Sequence, residues 1–217
     1  MDVIPFLATA FQIIVLLFSI VIHEVAHGFA ARSLGDNTAE AMGRLTLNPL
    51  KHLDAFGSVI LPTLLILTRA PLVIGWAKPV PYNPAKLWKD MKYGPLKVAL
   101  AGPAVNCAIA LVFGLILRFT LPYLSLLPAT LLGSIVFLNL LLMGFNLIPI
   151  PPLDGSKLLS AILPRRAALA VESMGFAGIL FVFALLYFFG DELFQGISAL
   201  FRLIAGPEAW QAFSGLT

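Results

Sequence analysis

Three residues near the start of the chain could hold a metal ion and activate water. His23 and His27 stand four positions apart, so on a helix both imidazoles lie on one face and can reach the same ion. Glu24 follows the first histidine and is placed to act as a general base toward water. The group directly follows a mostly apolar stretch, residues 11–22. Ionisable residues at membrane depth are costly, so this placement predicts a functional site rather than a structural one.

A metal centre of this kind needs a third ligand, because catalytic zinc commonly takes three protein ligands and leaves one position open. The candidates near the predicted membrane ends are Asp36, Glu40, His52, Asp54 and Asp154. Asp154 is favoured over His52, since Pro-Pro-Leu-Asp-Gly (residues 151–155) holds a lone carboxylate at the mouth of an apolar helix, where it needs a positive partner to stay ionised. The competing interpretation is a buried, hydrogen-bonded trio of His23, Glu24 and His27 without metal.

The composition indicates an integral membrane protein with a single domain. Of the 217 residues, 59% are hydrophobic and 12% charged, and the mean hydropathy is +0.95, which lies outside the range of soluble domains. The net charge of +3 comes from basic residues spread over loops, which argues against nucleic-acid binding. Cys107, the single cysteine, excludes an internal disulfide framework and a cysteine-based zinc cluster. We expect one domain over residues 1–217, with a catalytic core over about 5–160 and C-terminal helices over 174–217.

Apolar stretches of sufficient length predict an all-α polytopic membrane protein with about four to six membrane segments. The candidate spans are residues 5–31, 95–118, 128–148 and 174–190. The first lacks a basic N-terminal region and a small-residue cleavage site, so it is expected to stay attached. A fifth stretch, residues 55–68, is short and contains Gly57 and Pro62. It predicts a re-entrant or extended, proline-rich element around residues 55–84.

The distribution of basic residues predicts the orientation of these spans. Lysine and arginine are concentrated between residues 69 and 97 and again between 157 and 166, and such loops face the cytoplasm. All basic loops share one side only if residues 55–76 enter the membrane and return; a short tilted helix that violates the charge rule is the alternative. The N-terminus is then outside and the site lies toward the cytoplasmic side. The 128–148 helix returns to that side and brings Asn146 and Asp154 toward the histidines.

Several motifs in order resemble those of the site-2 protease family, the intramembrane zinc metalloproteases. They are HEVAH (residues 23–27), GWAKPVP (75–81), AGPAVN (101–106), NLIP (146–149) and LDG (153–155). The resemblance covers positions from about 20 to 160 and is strongest to the compact bacterial and archaeal branch. The chain shows neither the extra helices before the HExxH helix nor the PDZ domain of larger family members.

The resemblance implies a zinc-dependent endopeptidase that hydrolyses peptide bonds within or beside the transmembrane segments of other membrane proteins. Its metal would be one Zn²⁺ held by His23, His27 and Asp154, with Glu24 as general base. The protein would then be a multi-pass protein of the cell membrane, with the bilayer and a transmembrane substrate as partners. A catalytically inactive scaffold of the same fold is the alternative. A transporter is disfavoured, because paired repeats are absent from the sequence.

Further residues could bind substrate. Asn146 could donate to the oxyanion or to the substrate backbone, or could cap its helix. Asn106 could do the same, although a hydrogen bond between helices is the favoured interpretation. Val80 and Pro81 lie in the proline-rich stretch 73–84, which could pair with an unwound substrate as an edge strand or form a surface loop. From Leu193 onward the spacing predicts an amphipathic helix that lies in the membrane interface or makes a homo-oligomer contact.

Overall fold

The computed structural model describes residues 3–68 and 75–215, and within these ranges the chain forms helices and loops but no strand. The α-helices in chain order are α1 (Val3–Ser33), α2 (Thr38–Ala41), α3 (Leu61–Leu67), α4 (Gly94–Thr120), α5 (Leu126–Asn146), α6 (Ser156–Ile162), α7 (Arg165–Ser173), α8 (Gly178–Ala205) and α9 (Pro207–Ser214). Short 3₁₀ turns cover Pro49–Lys51, Pro84–Lys86, Leu121–Tyr123 and Gly175–Ala177, and Ala55–Ile60 forms a π-helical turn.

In the described part of the chain, four helices are long and apolar enough to cross a membrane. They cover Leu7–Ser33, Gly94–Tyr123, Leu126–Asn146 and Gly178–Ala205. Many of their large apolar side chains are exposed on the outer surface, as expected of helices that face lipid rather than water. The predicted all-α polytopic membrane fold is confirmed, and the first three spans agree with those expected from the apolar stretches.

The central bundle consists of α1, α4 and α5, which contact one another along most of their length. Small residues of α4 face inward at this interface, among them Ala99, Gly102 and Ala110, and small residues let membrane helices approach closely. Polar side chains are buried between the same helices, where they bond to one another because no water is present to satisfy them. The bundle therefore has a polar interior and an apolar exterior.

A second, apolar core joins α8 and α9 to α4 and α5. Its buried members are Ala110, Leu117, Ala129, Val136, Leu140, Ile197, Phe201, Ala205, Ala209 and Phe213. The helix predicted from Leu193 is not a separate element, because α8 continues unbroken to Ala205. Part of the apolar face that the spacing indicated, including Ile197 and Phe201, is buried in this core. The helix breaks only at Gly206, whose positive φ of 98° precedes Pro207.

The element around residues 55–67 is too short to span the membrane. The π-helical turn and α3 together extend about 20 Å at 1.5 Å per residue, against about 30 Å of hydrocarbon. The Trp76 N–H donates to the Gly57 carbonyl at 3.1 Å, and the Lys78 N–H donates to the His52 carbonyl at 2.8 Å. His52, before this element, and Lys78, after it, therefore lie side by side, and Trp76 lies beside the start of the element. Arg69 and Val73, which entered the charge and strand predictions, lie outside the described residues.

Candidate metal centre

Helix α1 directs the Nε2 atoms of its two histidines toward one point. His23 Nδ1 lies 2.5 Å from Asn106 Oδ1 on α4, and His27 Nδ1 lies 2.7 Å from the Val98 carbonyl oxygen on the same helix. Both acceptors lie on the far side of the ring from Nε2. Both histidines are buried, at 5% and 8% exposure. With Nδ1 protonated and bonded, each ring keeps its Nε2 lone pair for a ligand.

Asp154 reaches the same point from the loop after α5. The helix ends at Asn146 because the following prolines cannot continue it, and the Gly155 N–H returns to the Asn146 carbonyl at 2.7 Å. This closure places Asp154 Oδ2 3.0 Å from His23 Nε2 and 3.2 Å from His27 Nε2. The loop therefore adds a carboxylate to the two imidazoles.

These three side chains fit a zinc ion. Bonds of about 2.0–2.1 Å in a tetrahedral site separate neighbouring ligand atoms by about 3.3 Å, close to the distances from Asp154 to both rings. Within residues 3–68 and 75–215, they form the one cluster of metal-ligating side chains, with candidate atoms within 4.8 Å of one another. When Nε2 of His23 and of His27 carries a proton, it donates to Asp154. Burial would raise the pKa of Asp154, but these hydrogen bonds lower it below its usual value, so the carboxyl is ionised, and a metal ion would take the place of the two protons.

Gly102 makes room for this centre on the α4 side. A Cβ atom at this position would overlap the His23 ring and would come within 2.6 Å of His27 Nε2. Pro103 follows and has no N–H to donate to Ala99, so it interrupts the helical hydrogen bonds at this level. The backbone of α4 therefore lies directly against the two imidazoles, which only a glycine permits.

Glu24 faces a different partner from the histidines. Its Oε2 accepts a hydrogen bond of 2.8 Å from the N–H of Val80, which lies in the extended segment 75–83. Glu24 and Val80 both line a cavity of about 280 Å³ that also reaches His23, His27 and Asp154. The carboxylate thus stands beside the candidate ligands, at the edge of a space in which water and a peptide could meet.

The extended segment, residues 75–83, has two different edges. The N–H groups of Trp76, Lys78 and Val80 lie on one edge and donate to the Gly57 carbonyl, the His52 carbonyl and Glu24 of α1, in that order. Pro79 and Pro81 have no N–H, so the opposite edge offers mainly carbonyl groups. The N–H of Val80, which the sequence indicated as a substrate contact, is thus used by Glu24, whereas Pro81 lies on the opposite edge.

The two asparagines identified from the sequence occupy different positions. Asn146 lines the cavity, and its Nδ2 donates to the Leu142 carbonyl one turn earlier in α5. Asn106 is fully buried, and both ends of its amide are bonded, Oδ1 to His23 and Nδ2 to Asn139. The bond between helices expected of Asn106 is present, and its amide has no group directed at the cavity.

The other candidate ligands lie apart from the cluster. Asp54 accepts from the Gly57 N–H at the start of the π-helical turn, and Glu40 pairs with Arg32 at 3.0 Å. His52 Nε2 donates to the Thr46 carbonyl at 2.8 Å.

Asp36, the remaining candidate, fastens the start of the loop region. Its carboxylate accepts from Thr38 and from the Asn83 N–H. Burial alone would raise the pKa of Asp36, but these hydrogen bonds lower it below its usual value. The side chain therefore has a structural role at the end of α1.

Asn139 and Ser19 take part in the hydrogen bonds behind the centre, and neither was identified from the sequence. Asn139 on α5 accepts from Asn106 and donates to Ser19 Oγ at 3.0 Å on α1. An amide in the middle of the apolar stretch 128–148 was a usable signal, because a polar side chain in a membrane helix needs a partner. Its partner could not be read from the sequence, since the two asparagines are 33 positions apart.

Comparison with known proteins identifies similar chains in several organisms. The chain is 37% identical over 189 residues to YwhC of Bacillus subtilis, covering 82% of each chain. It is 33% identical over 199 residues to Rip2 of Mycolicibacterium smegmatis, covering 84% of this chain and 73% of Rip2. Both relatives are provisionally named zinc metalloproteases. The zinc metalloprotease MJ0392 of Methanocaldococcus jannaschii is 30% identical over 153 residues, which is 70% of this chain and 34% of MJ0392.

No family model matches the chain, and no solved structure matches it. The similarity to YwhC and Rip2 nevertheless extends over most of all three chains. In this chain, the buried cluster of two imidazoles and one carboxylate has the composition and spacing that zinc requires. This membrane protein belongs to the family of zinc metalloproteases that includes YwhC and Rip2.

Proposed function

We propose that this metalloprotease is an intramembrane endopeptidase of the site-2 protease type, which hydrolyses peptide bonds within or beside the transmembrane segments of other membrane proteins. The depth of the metal centre carries this proposal. His23 is followed by ten residues of α1 up to Ser33, about 15 Å of helix, and is preceded by 16 residues back to Leu7, about 24 Å. The centre is thus inside the span, nearer to one end, where the scissile bond would lie at membrane depth.

The three candidate ligands and Glu24 have different parts in the proposed reaction. His23, His27 and Asp154 hold the zinc ion, which, when bound, supplies a Lewis acid that polarises a carbonyl and makes water more acidic. Glu24 takes a proton from the attacking water as its oxygen bonds to the scissile carbonyl carbon, and later gives that proton to the departing amine. The Val80 N–H occupies Oε2 of Glu24, which leaves Oε1 for the proton.

Substrate contacts follow from the groups around the cavity. We assign Asn146 as an amide donor toward the substrate, because it lines the cavity and its Nδ2 has a second hydrogen. An unwound substrate would pair with the outer edge of residues 75–83, where the Pro81 carbonyl would accept from a substrate N–H. The Pro79 carbonyl already accepts from Arg44 Nη2 at 3.3 Å. The pairing with substrate would be carried by acceptors, since neither proline can donate.

The orientation in the membrane follows from the charges at the two ends of the bundle. The loops at the end nearer to the site carry Lys78, Lys86, Lys89, Lys92, Lys97, Lys157, Arg165 and Arg166. The loop joining α4 and α5 at the other end carries none. By the positive-inside rule the site then opens toward the cytoplasmic side of the cell membrane, with the N-terminus outside.

The test uses the purified full chain in detergent or in vesicles, with zinc content and peptide cleavage both measured. Glu24→Gln is expected to keep stoichiometric zinc and to lose about 10²–10⁴-fold in cleavage rate, as removal of a general base does. Asp154→Ala is expected to lose zinc affinity. The substrate is a transmembrane peptide, and its extramembrane sequence alone is the matched control. Cleavage of the soluble control alone would contradict the intramembrane assignment, and a zinc-loaded wild type that cuts neither substrate would indicate the scaffold.

A further inference from the structure

His23 and His27 differ in what fixes their rings, although both are candidate ligands of the same ion. The Nδ1 of His27 donates to the Val98 carbonyl, a backbone group whose position is set by α4. The Nδ1 of His23 donates to the Asn106 side chain, an amide that could rotate by 180° and present its NH₂ instead. An amide NH₂ facing Nδ1 would favour the proton on Nε2, the atom that has to bind zinc. Something must therefore hold the Asn106 amide in one orientation.

The direction of this amide follows from one backbone carbonyl on α5. The Asn139 Nδ2 lies 2.9 Å from the Ile135 oxygen, which can only accept, so the NH₂ group of Asn139 must face it. Asn139 Oδ1 then faces Asn106 at 2.8 Å and requires the NH₂ of that amide. Asn106 Oδ1 is thereby turned to His23, which must donate from Nδ1. Each bond in the series determines the next.

The series is buried and joins the three central helices. Asn106 and Asn139 are both 0% exposed, and Ser19 Oγ on α1 accepts the second N–H of Asn139 at 3.0 Å. Buried amides without partners are costly, so a rotation of either one would leave opposed oxygens or opposed NH₂ groups in the bundle core. The arrangement therefore holds a single direction.

We propose that Asn139 is a positioning residue of the metal centre: it holds the Asn106 amide so that His23 keeps its proton on Nδ1 and its Nε2 lone pair on the zinc. This inference rests on the proposed assignment of His23 as a ligand. The hydrogen bonds of Asn139 go to Asn106, Ser19 and Ile135, so it acts on His23 through Asn106. Loss of such an outer partner commonly lowers metal affinity by about 10–100-fold.

The experiment measures zinc affinity by chelator competition, with the full chain in detergent and zinc as the probe. Asn139→Leu is expected to weaken zinc binding by about 10-fold, and Asn106→Leu by about 10–100-fold. Asn139→Asp is the conservative variant. At the fully buried position 139 the carboxyl is expected to be protonated, so it can donate to the Ile135 carbonyl and still offer an oxygen to Asn106. The Asn139→Asp variant is expected to keep the zinc affinity within about threefold of the wild-type value, since the direction of the Asn106 amide is kept.

Ser134→Ala is the matched control on the same helix. It removes a buried bond with Gln12 of α1 but has no connection to either histidine. A second readout uses ¹⁵N-histidine labelling of the zinc-loaded protein, which is simple because the chain has three histidines. In Asn139→Leu the Nδ1–H of His23 is expected to exchange faster with water, while that of His27 stays as in the wild type.

Three outcomes would overturn the inference. Asn139→Leu could bind zinc as tightly as the wild type with an unchanged His23 signal. Ser134→Ala could lose as much affinity as Asn139→Leu, or Asn139→Asp could fail to restore it, and either result would show that only packing is involved. A wild type that binds no zinc, or binds it without involving His23, would instead reject the metal assignment on which the inference rests.

Discussion

The two sides of the metal centre are held by different forces. On the helical side, His23 and His27 lie on one face of α1, and buried groups of α4 fix their rings. On the loop side, Asp154 and Val80 come from irregular segments that a few backbone hydrogen bonds close. The comparison teaches that the two proposed imidazole ligands take their geometry from packed helices, whereas the proposed carboxylate ligand and the hydrogen bond of Glu24 depend on loop closure.

The helical side is expected to be the most sensitive to added volume. Gly102→Ala places a Cβ against both imidazoles, so zinc affinity should fall by at least about 100-fold, because two ligands are displaced at once. Zinc competition on the purified variant measures the effect. The matched control is Gly196→Ala, an exposed helical position where a Cβ meets nothing within 4 Å. Equal zinc affinity in both variants would contradict the close contact of α4 with the histidines.

The loop side is expected to respond less strongly, because one ligand of three is affected. At Gly155 a Cβ would overlap the backbone of Leu147 and Ile148, so Gly155→Ala should shift Asp154 and lower zinc affinity by about 10-fold. The Nδ1–H signals of His23 and His27 should stay as in the wild type, since α4 still holds both rings. If these signals changed as much as in Gly102→Ala, the two sides would not be independent.

The contact between Glu24 and the extended segment can be broken without touching a ligand. Val80→Pro removes the N–H that donates to Glu24. The cleavage rate should then fall by about 10-fold while zinc stays bound, because one hydrogen bond that orients a charged group is lost. Val80→Ala keeps the N–H and serves as the control for the lost side chain. Unchanged cleavage in Val80→Pro would remove the segment from the proposed mechanism.

The smallest expected effect is an acid sensitivity of the loop region. Because the pKa of Asp36 is lowered in the folded protein, its contribution to stability is present above the unfolded value of about 3.9 and is lost as the pH falls through the folded pKa. Thermal unfolding of Asp36→Ala should therefore differ from that of the wild type at neutral pH and converge with it below about pH 4. A difference that persisted unchanged at low pH would show that the bonds to Thr38 and Asn83 do not depend on the charge.

The sequence predicted most of the fold, because membrane spans depend on local properties. Apolar length located α1, α4 and α5, and it separated the short 55–67 element from the true spans. The predicted end of the fourth span, residue 190, was wrong, because α8 continues to Ala205. A helical apolar stripe such as Ile197 and Phe201 shows that one face avoids water, but the same stripe suits lipid and protein alike. Only the packing of α8 against α5 and α9 distinguished the two.

The sequence by itself determined that the chain is a helical membrane protein and that two imidazoles and a glutamate share one short stretch of helix. Spacing of four positions brings His23 and His27 together in any α-helix, whatever surrounds them. Asp154, which the sequence favoured from its flanking residues, is brought to them across 131 positions only by the tertiary structure. The tertiary structure alone decided that Glu24 accepts from Val80 and that Asn139 bonds to Asn106. Such contacts depend on how helices and loops pack, and no local spacing rule contains that information.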